Sequence, residues 1–468
     1  MVATFALAMG ANPARADEVL ATVSFPPGNA GLPLNPAFAG LSYEKLAITT
    51  GFFSSNNLPL VKLFSLIGPA VLRIGGGTAD STCWGGRSNL TPITASEVIG
   101  FAGFIQALPT NWSVIYGLNF SVNIPTNCAE EAAYVAKALG PRLLGFEIGN
   151  EPEAYPGNRI RPRNFKCSDF VSQWKPLAAG VVNTVPGWAI SNGGNGWALT
   201  GPASGGNPQW TEWFAGAEAG VISLATQHYY RADGKKPGCT MQLLLEPDPK
   251  LPQAVAAVVS ALRLDNLPLG FREDECGSYS HGGVVGVSDA YGAALWSLDF
   301  MFTLALNGCQ GVNFHGGGRS PYTPLFDTRQ TVRQVRPEFY GLKMFSLLPR
   351  GNVVPATVAL ASPINFTAYG VRQADGAFSA LLNNKDTNNT VAVRVNLGQG
   401  VARATLTELT GPSLSSTNGY TLGGAAINPD GSWSGGVQAI LPAPNGQLMV
   451  QVPPASACLL KPVTRLEW

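Results

Sequence analysis

The sequence predicts an α/β fold: a (β/α)8 TIM barrel followed by a C-terminal β-sandwich domain that also takes an N-terminal strand. Short apolar runs separated by loops and helical stretches recur eight times between about residue 36 and residue 317. After about residue 347 the helical periodicity fades, and alternating apolar and polar residues take its place. Repeated strand–helix alternation is typical of a parallel barrel, and short alternating strands between turns are typical of a sandwich.

Two segments precede the predicted barrel. Residues 1–16, MVATFALAMGANPARA, are mostly apolar or small and end in Ala-Arg-Ala, which resembles a signal-peptidase site. The usual basic start is missing, so a signal-peptide remnant and an ordinary N-terminus both stay open. We expect a secreted or periplasmic protein. Residues 17–35 contain the alternating segment EVLATVSF, and we expect this strand to join the C-terminal sheet.

We place the barrel in residues 36–346 and the sandwich in residues 347–468. The eight predicted barrel strands are residues 38–43, 70–75, 113–119, 143–149, 188–192, 222–228, 269–275 and 311–315. Helices are predicted at residues 129–139, 253–264 and 288–306. A doubly wound sheet is the alternative, but no G-x-G-x-x-G follows a first strand and opens a helix. The predicted sandwich strands are residues 365–371, 377–382, 391–396, 404–409 and 448–452.

The composition limits the classes of function. Lys and Arg total 30 and Asp and Glu total 29, which gives a formal net charge of +1. A protein that binds nucleic acid through broad phosphate contacts is usually far more basic, so we expect no nucleic-acid partner. No run of about 20 uncharged apolar residues is present, so we expect no membrane partner. The seven cysteines form no C-x-x-C pair, which disfavours structural zinc. We expect a monomer without cofactor or metal.

Two glutamates follow predicted strands four and seven. Strand four ends GFEIGNEPEAY, with Asn150 and Glu151 just past its apolar part, and strand seven ends GFREDECGSYSHGG, which contains Glu275. In barrel enzymes the reactive side chains stand at the C-terminal ends of the strands. Two carboxylates there can split a glycosidic bond, because one protonates the leaving oxygen and the other attacks the anomeric carbon. The Asn150 amide can hydrogen-bond the sugar 2-OH, a contact that strengthens in the transition state.

Neighbouring residues compete with or support Glu275. Glu273 and Asp274 are the competitors for the role of nucleophile. Because side chains alternate along a strand, we expect Glu273 and Glu275 on one face and Asp274 on the other. Tyr229 and Tyr230 directly follow predicted strand six, and a hydroxyl from one of them would favour the ionised form of Glu275.

The motifs taken together resemble the retaining glycoside hydrolases whose acid and nucleophile lie on barrel strands four and seven. More narrowly, they resemble glycoside hydrolase family 79, the β-glucuronidase and heparanase family. The motifs are FAGLSYE (38–44), VLRIGGGTAD (71–80), FEIGNEPEAY (146–155), QHYY (227–230), ECGSYSHGG (275–283), GVSDAYGAALW (286–296), GVNFHGGG (311–318) and YTPL (322–325). The resemblance implies a retaining β-glucuronidase that acts on a glucuronic-acid-containing glycan or glycoside, with Glu151 as acid/base and Glu275 as nucleophile.

The resemblance also implies a set of substrate contacts. Asp80 resembles the residue that holds the sugar 3- and 4-hydroxyls, and Tyr322 resembles a tyrosine that grips the uronic acid carboxylate. Glu44 ends strand one and is expected to face the same pocket or to pair with Arg73. Arg73 is equally well explained as a buried partner of the strand carboxylates. The full predicted substrate-binding set is Asn150, Asp80, Glu44, Tyr229, Tyr230, Tyr279, Tyr322, His315 and Arg319.

Two departures from the family pattern leave the sugar open. Ser280 stands where a second tyrosine often follows Glu-x-x-Ser-Tyr. Pro321 stands where relatives carry a glycine that offers its N–H, which proline lacks, and Arg319 is the candidate replacement donor. A neutral β-glycoside therefore remains a rival substrate.

Three further alternatives stay open at this stage. Basic residues in the loops 159–166 and 231–236 favour an endo-acting, heparanase-like enzyme that attracts a polyanion, or they are ordinary solvated charges. Histidines at the ends of predicted strands six, seven and eight would suit a metal, although no His-x-His pair lies on strand one. A carbohydrate-binding barrel without activity is the non-enzymatic alternative.

Overall fold

The computed structural model describes residues 18–26, 31–185, 199–328 and 330–463. Within them, eight parallel strands close a barrel. In chain order, barrel strands one to eight are Gly40–Glu44, Ala70–Gly75, Trp112–Leu118, Leu143–Ile148, Leu199–Ser204, Leu224–Tyr230, Phe271–Gly277 and Val312–Gly316. The eighth strand pairs with the first, with Phe314 opposite Leu41. This closure leaves the barrel without a sheet edge.

Helices lie between and after the barrel strands. They are Leu58–Ile67, Ala95–Ala107, Pro125–Leu139, Cys167–Thr184, Pro208–Glu218, Met241–Leu245, Leu251–Asp265, Gly292–Leu306 and Pro337–Ser346. Five of these carry a proline in the first turn, where its missing N–H costs no hydrogen bond. The helix Ala95–Ala107 begins with a capping box, in which the Thr94 N–H donates to the Glu97 side chain at 2.7 Å. Within the described ranges, no helix is long and apolar enough to cross a membrane.

Two sheets form the C-terminal domain. The first has the strand order Thr357–Leu360, Glu18–Ser24, Thr390–Asn396, Gln447–Val452. The second has the order Leu32–Pro33, Asn352–Pro355, Phe366–Arg372, Phe378–Asn384, Ser456–Pro462, Arg403–Thr410, Thr421–Leu422. One further strand, Ala439–Pro442, also pairs with Arg403–Thr410. Apolar side chains from both sheets pack into one core, among them Val23, Val393, Leu382 and Leu460. Two short two-stranded sheets complete the strands: Thr82–Trp84 pairs parallel with Thr91–Ile93, and Leu325–Thr328 pairs antiparallel with Thr331–Val335.

The barrel and the sandwich share a packed interface. Lys385 forms an ion pair of 2.6 Å with Asp299 on the helix Gly292–Leu306. The rings of Phe302 and Tyr369 stack at a centroid distance of 4.4 Å. Asn383 donates to the Leu295 carbonyl at 2.9 Å. These contacts fix the last long barrel helix against the second sheet.

The predicted fold class is confirmed, including the N-terminal strand, which pairs with strands on both sides. The strand predicted at residues 188–192 lies outside the described residues, as does the expected signal-peptide remnant at residues 1–16. The fifth barrel strand is Leu199–Ser204, which the sequence did not predict. Its sequence, LTGPAS, contains Gly and Pro and lacks an apolar run, so it carries little strand signal.

Candidate active site

The C-terminal ends of the barrel strands surround an open cavity of about 600 Å³. This is the end of the barrel at which such enzymes carry their reactive groups. Residues predicted from the sequence to form the site make up part of its lining. Those are Glu44, Glu151, Tyr229, Tyr230, Glu275, His315 and Tyr322.

Glu151 lies in a turn just after barrel strand four. Its backbone is left-handed, with φ 48° and ψ 59°, and its N–H donates to the carbonyl oxygen of Ala203 at 2.8 Å. This bond ties the turn to barrel strand five, beside the cavity that Glu151 lines. The side chain is 34% exposed, so its carboxyl group can exchange protons with solvent. A Cβ at Gly205 would lie 3.1 Å from the Glu151 carboxyl carbon, so a larger residue there would crowd it.

Glu275 lies near the end of barrel strand seven and receives two short hydrogen bonds. The Tyr230 hydroxyl donates to its Oε1 at 2.8 Å, and Arg73 Nη1 donates to its Oε2 at 2.6 Å. Burial alone would raise the pKa of Glu275. Two nearby histidines, the Arg73 guanidinium and the Tyr230 hydrogen bond nevertheless hold that pKa well below its ordinary value. Glu275 is therefore ionised at neutral pH, as a nucleophile requires.

The two carboxyl groups are close together. An oxygen of Glu151 and an oxygen of Glu275 lie within 4.8 Å of each other, and a ring nitrogen of His228 lies within the same distance of both. In retaining glycosidases the two carboxyl groups are about 5–5.5 Å apart, whereas inverting enzymes separate them by roughly 6.5–9.5 Å to admit a water. The observed spacing matches direct attack by one carboxylate.

His228 bridges the pair. Its Nδ1 lies 3.0 Å from Glu151 Oε1 and 3.9 Å from Glu275 Oε1, and the ring is buried. Burial alone would lower the pKa of His228, but the charge of Glu275 and the hydrogen bond to Glu151 raise it above its ordinary value. A protonated His228 donates a hydrogen bond to Glu151 and adds positive charge beside Glu275.

Arg73 on barrel strand two connects three strands from inside the barrel. It is fully buried and donates to Glu147 through Nε at 2.9 Å and Nη2 at 2.6 Å. Nη2 also donates to the Asn150 side-chain oxygen at 2.7 Å. With the bond to Glu275, one guanidinium orients both strand four and strand seven. The structure thus places Arg73 among the strand carboxylates rather than with Glu44.

Barrel strand seven departs from simple alternation. Gln227 lies opposite Glu273 and His228 lies opposite Glu275, so Asp274 is an extra residue in a β-bulge. The expectation that Asp274 points away from Glu275 is therefore wrong. Asp274 Oδ2 lies 3.6 Å from Arg73 Nε, in the same buried network. Burial raises the pKa of Asp274 well above its ordinary value and that of Glu273 to about 8.

Several predicted contacts lie in the cavity wall. Glu44 accepts from the N–H of Thr78 at 2.8 Å, and its Oε1 lies 3.7 Å from His315 Nε2. The ring of Tyr322 packs against Tyr230 at 5.9 Å and against His315 at 5.8 Å. These groups lie beside Glu275.

Other predicted contacts are occupied within the protein. The carboxylate of Asp80 is buried and accepts from the N–H groups of Phe120 and Ser121 and from the Tyr155 hydroxyl. The hydroxyl of Tyr279 donates to the Thr240 carbonyl oxygen at 2.7 Å. These two residues do not line the 600 Å³ cavity, and neither do Asn150 and Arg319. Arg319 is exposed. Tyr229 lines the cavity, but its hydroxyl donates to Asp248 at 2.9 Å.

The positions that depart from the family pattern lie at the same mouth. Ser280 lines the cavity, and its hydroxyl lies 3.1 Å from His281 Nδ1. The Pro321 carbonyl oxygen accepts from Arg336 at 3.1 Å. Pro321 has no N–H to donate, and Ser280 offers a shorter hydroxyl in place of a tyrosine.

Sequence reasoning missed part of the wall. Gly205, Gly206 and Pro208 follow barrel strand five, and Asp248 and Lys250 follow strand six. Gly205, Gly206 and Pro208 belong to the segment SGGNP at the end of strand five, which is typical of a strand-end loop. That signal can be recognised only once the strand is placed at Leu199–Ser204.

The group Glu151, His228 and Glu275 has the donor types and spacing that could hold a metal ion. Two observations weigh against that use. Arg73 already places a positive charge 2.6 Å from Glu275, and the raised pKa of His228 favours a proton on the ring. The donor set fits an acid–nucleophile pair better than a cation site.

Comparisons with known proteins agree with this architecture. Residues 368–459 match the glycosyl hydrolase family 79 C-terminal beta domain. The resemblance to glycoside hydrolase family 79 is confirmed. The family 79 match covers strands of the sandwich, so it does not include Glu151 and Glu275.

Similarity to two curated relatives extends beyond this domain. A beta-glucuronidase from Aspergillus niger is 28% identical over 340 residues, 64% of this chain and 61% of that protein. A beta-glucuronidase from Neurospora crassa is 28% identical over 328 residues, 63% of this chain and 57% of that protein. The chain thus spans about three fifths of the length of these curated relatives.

Solved structures share the fold across most of the chain. A 4-O-alpha-L-rhamnosyl-beta-D-glucuronidase from Fusarium oxysporum superposes with a TM-score of 0.74 at 19% identity, covering 94% of this chain and 100% of that chain. A GH51 arabinofuranosidase from Xanthomonas axonopodis pv. citri superposes with a TM-score of 0.67 at 15% identity, covering 95% and 100%. These similarities establish a barrel with an attached β-domain.

Proposed function

We propose that this protein is a retaining β-glucuronidase. The observation that carries the proposal is the pair Glu151 and Glu275, whose oxygens lie within 4.8 Å in one open cavity, with Glu275 held ionised. The family 79 match and the two relatives named beta-glucuronidase support the choice of sugar. The rhamnosyl-glucuronidase with the same fold supports it as well.

The proposed reaction has two steps. A carboxylate oxygen of Glu275 attacks the anomeric carbon while the bond to the leaving oxygen breaks, and Glu151 gives its proton to that oxygen. The product is a sugar ester on Glu275. Water then attacks the anomeric carbon, Glu151 takes the proton from it, and the carboxylate of Glu275 is released. His228 hydrogen-bonds Glu151 throughout, while Arg73 and Tyr230 stabilise the departing Glu275 carboxylate.

Hydrolysis of p-nitrophenyl β-D-glucuronide beside the matching β-glucoside tests the proposal. We expect release from the glucuronide and, by NMR, a product that first appears as the β anomer. Glu275→Gln should abolish turnover, and Glu151→Gln should lower kcat by about 10²- to 10⁴-fold, because the general base that activates water in the second step is lost. Unchanged activity of Glu275→Gln would overturn the nucleophile assignment.

A neutral β-glycoside is the second candidate substrate. The absence of an N–H at Pro321 favours it, because this departure removes a donor for a carboxylate, and Ser280 places a shorter hydroxyl where the family pattern has a tyrosine. Release from the glucoside alone would establish this candidate. A polyanion has weaker support, since Arg161 is tied to the carbonyl oxygens of Phe120 and Ser121 and Arg231 lies 3.7 Å from Asp248.

A further inference from the structure

The catalytic cavity offers a substrate two accessible basic side chains. Among the described residues that line it, the basic ones are His228, His281, His315 and Lys250. His228 and His315 are buried beside carboxylates of the site. The side chain of His281 is 46% exposed, and Lys250 is exposed as well. An acidic group on a substrate can therefore reach His281 or Lys250.

His281 lies beside the part of the cavity that surrounds Glu275. It belongs to the loop after barrel strand seven, and the carbonyl oxygen of the next residue, Gly282, accepts from the Tyr322 N–H at 3.2 Å. The ring of Tyr322 packs against Tyr230, whose hydroxyl donates to Glu275 at 2.8 Å. One loop contact thus connects His281 to the residues that would surround the hydrolysed sugar.

Lys250 lies on the other side, near the proposed acid/base. It directly precedes the helix Leu251–Asp265, which packs against the helix Pro208–Glu218. The second helix follows Gly205, where a Cβ would lie 3.1 Å from the Glu151 carboxyl carbon. Because the leaving group departs at Glu151, Lys250 lies on the leaving-group side of the cavity.

The imidazole of His281 is held in place by a carboxylate. Its Nδ1 lies 2.9 Å from Asp233 Oδ1 and 3.1 Å from the Ser280 hydroxyl. Asp233 also accepts from the Lys235 N–H at 3.0 Å, and Lys236 Nζ lies 4.0 Å from its other oxygen. A protonated imidazole donates from both ring nitrogens. Since Nδ1 is engaged with Asp233, Nε2 is the nitrogen that can donate to a group in the cavity.

The backbone of this loop turns sharply at His281. Its φ is 56°, and the φ angles of Gly282 and Gly283 are 94° and 85°. Residues with a side chain are uncommon in the left-handed region, although histidine is enriched there. Such conformations are concentrated at functional sites. A glycine at position 281 would adopt the same turn without strain, so this side chain can be removed with little effect on the fold.

His281 also lies next to the two departures from the family pattern. Ser280 directly precedes it, and Pro321 belongs to the loop that Gly282 contacts. Arg319, the replacement donor expected from the sequence, does not line the cavity. Of these groups, the His281 imidazole is the one that lines the cavity and can carry a positive charge.

We propose that His281 is a specificity-determining residue that binds the carboxylate of the hydrolysed glucuronic acid through its Nε2–H. It takes the place of the donor that is missing at Pro321. Hydrogen bonds between a charged donor and a carboxylate are stronger than neutral ones, so this contact favours a glucuronide over a glucoside. The inference rests on the proposed glucuronidase function and names the residue that recognises the acid.

The test compares p-nitrophenyl β-D-glucuronide with its methyl ester, in which the carboxylate is neutralised. His281→Gly should raise KM for the glucuronide and lower its kcat/KM by about 10- to 100-fold, because a hydrogen bond to a charged group is lost. The kcat/KM for the ester should change by less than about threefold, since the ester does not use that charge. Equal losses on the two substrates would overturn the inference.

Two other variants remove a positive charge and serve as matched controls. Lys236 is 76% exposed and contacts the same Asp233, and Lys250 is the other accessible basic residue of the cavity. Lys236→Gln and Lys250→Gln should both leave the ratio of acid to ester unchanged. His281→Gly should keep the Tm of the parent. A ratio that falls in Lys250→Gln and not in His281→Gly would overturn the assignment.

A binding measurement separates this inference from the proposed function. In the Glu275→Gln variant, calorimetric titration should show about 10-fold or more tighter binding of the glucuronide than of the ester, and adding His281→Gly should remove the difference. If this pattern appears but the parent hydrolyses neither substrate, the proposed function fails and the role of His281 stands. If the parent hydrolyses the glucuronide but the difference survives His281→Gly, the function stands and the inference is overturned. Equal binding of acid and ester also overturns it.

Discussion

At the scale of single residues, the site depends on Glu275, the proposed nucleophile, whose negative charge is maintained by its neighbours. The Tyr230 hydroxyl lies 2.8 Å from Glu275 Oε1. The charge of Glu275 is one of the causes that raise the pKa of Tyr230 well above its ordinary value, after burial, so the hydroxyl stays a donor. A hydrogen bond to the charged form of an acid lowers the pKa of that acid.

Replacing Tyr230 by Phe removes that donor and keeps the ring. A hydrogen bond to a charged group contributes about 1.5–3 kcal/mol, so we expect kcat/KM to fall by about 10- to 100-fold. The pKa of Glu275 should rise, which moves the acidic limb of the kcat/KM profile to higher pH. Rates measured across the pH range in Tyr230→Phe and in the parent check both effects.

Tyr291→Phe is the matched control for this change. Tyr291 is also buried, but its hydroxyl donates to the Leu409 carbonyl oxygen in the C-terminal domain. We expect some loss of stability and no shift of the acidic limb. A shift of equal size in both variants would mean that Tyr230 acts through the fold and not through Glu275.

At the scale of elements, barrel strand seven carries three consecutive buried carboxyl groups around a bulge, and these groups differ in ionisation. Glu275 is ionised, whereas burial raises the pKa of Glu273 to about 8. The ordinary pKa of a glutamate is near 4.5. Between that pH and about 8, the folded protein keeps the proton on Glu273, whereas the unfolded chain releases it. The free energy of unfolding should therefore fall as the pH rises through that window.

Glu273→Gln removes this titration without changing the shape of the side chain. We expect the variant to gain stability relative to the parent as the pH rises from about 4.5 to about 8, by an amount on the order of 4 kcal/mol. Urea unfolding of both proteins at several pH values measures the difference. Parallel pH profiles would show that Glu273 is ionised in the folded state.

The sequence could predict elements with strong periodic patterns. The sequence places barrel strand two at Ala70–Gly75, and its six residues are all buried, as a run that is apolar except for Arg73 predicts. Barrel strand five, Leu199–Ser204, could not be found, because its small residues and Pro202 provide no such run. The bulge at Asp274 could not be predicted either, because residue identity alone does not show where the pairing of two strands shifts by one position.

The same limit applies to the candidate site. Glu151 and Glu275 could be placed at one end of the barrel because the strand ends converge there, whereas the choice of Glu275 over Glu273 and Asp274 depended on the family motif. The internal partners of Asp80 and Tyr279 could not, since a strand-end position does not reveal which side chains the protein itself will bond. Arg73 was ambiguous because its partners come from strands four and seven, far away in sequence.

At the scale of the whole molecule, the N-terminal strand is part of a sheet of the C-terminal domain. Glu18–Ser24 lies between Thr357–Leu360, to which it is antiparallel, and Thr390–Asn396, to which it is parallel. Alternate side chains of this strand are buried and exposed. The second sheet of the same domain packs on the barrel, with Leu381 and Leu459 in the same hydrophobic cluster as the barrel residues. The stability of the barrel should therefore depend on a strand that precedes it.

Val23→Asp and Thr22→Asp test this dependence with the same new residue on opposite faces of the strand. Val23 is 1% exposed in the sandwich core, whereas Thr22 is exposed. Burying an unpaired carboxylate is strongly unfavourable, so we expect Val23→Asp to lose about 3 kcal/mol or more and Thr22→Asp about 0.5 kcal/mol or less. Unfolding in urea is monitored by hydrolytic activity. Val23→Asp should lose activity at a lower urea concentration than the parent, and Thr22→Asp should not. Equal midpoints in the two variants would mean that the barrel folds without support from the N-terminal strand.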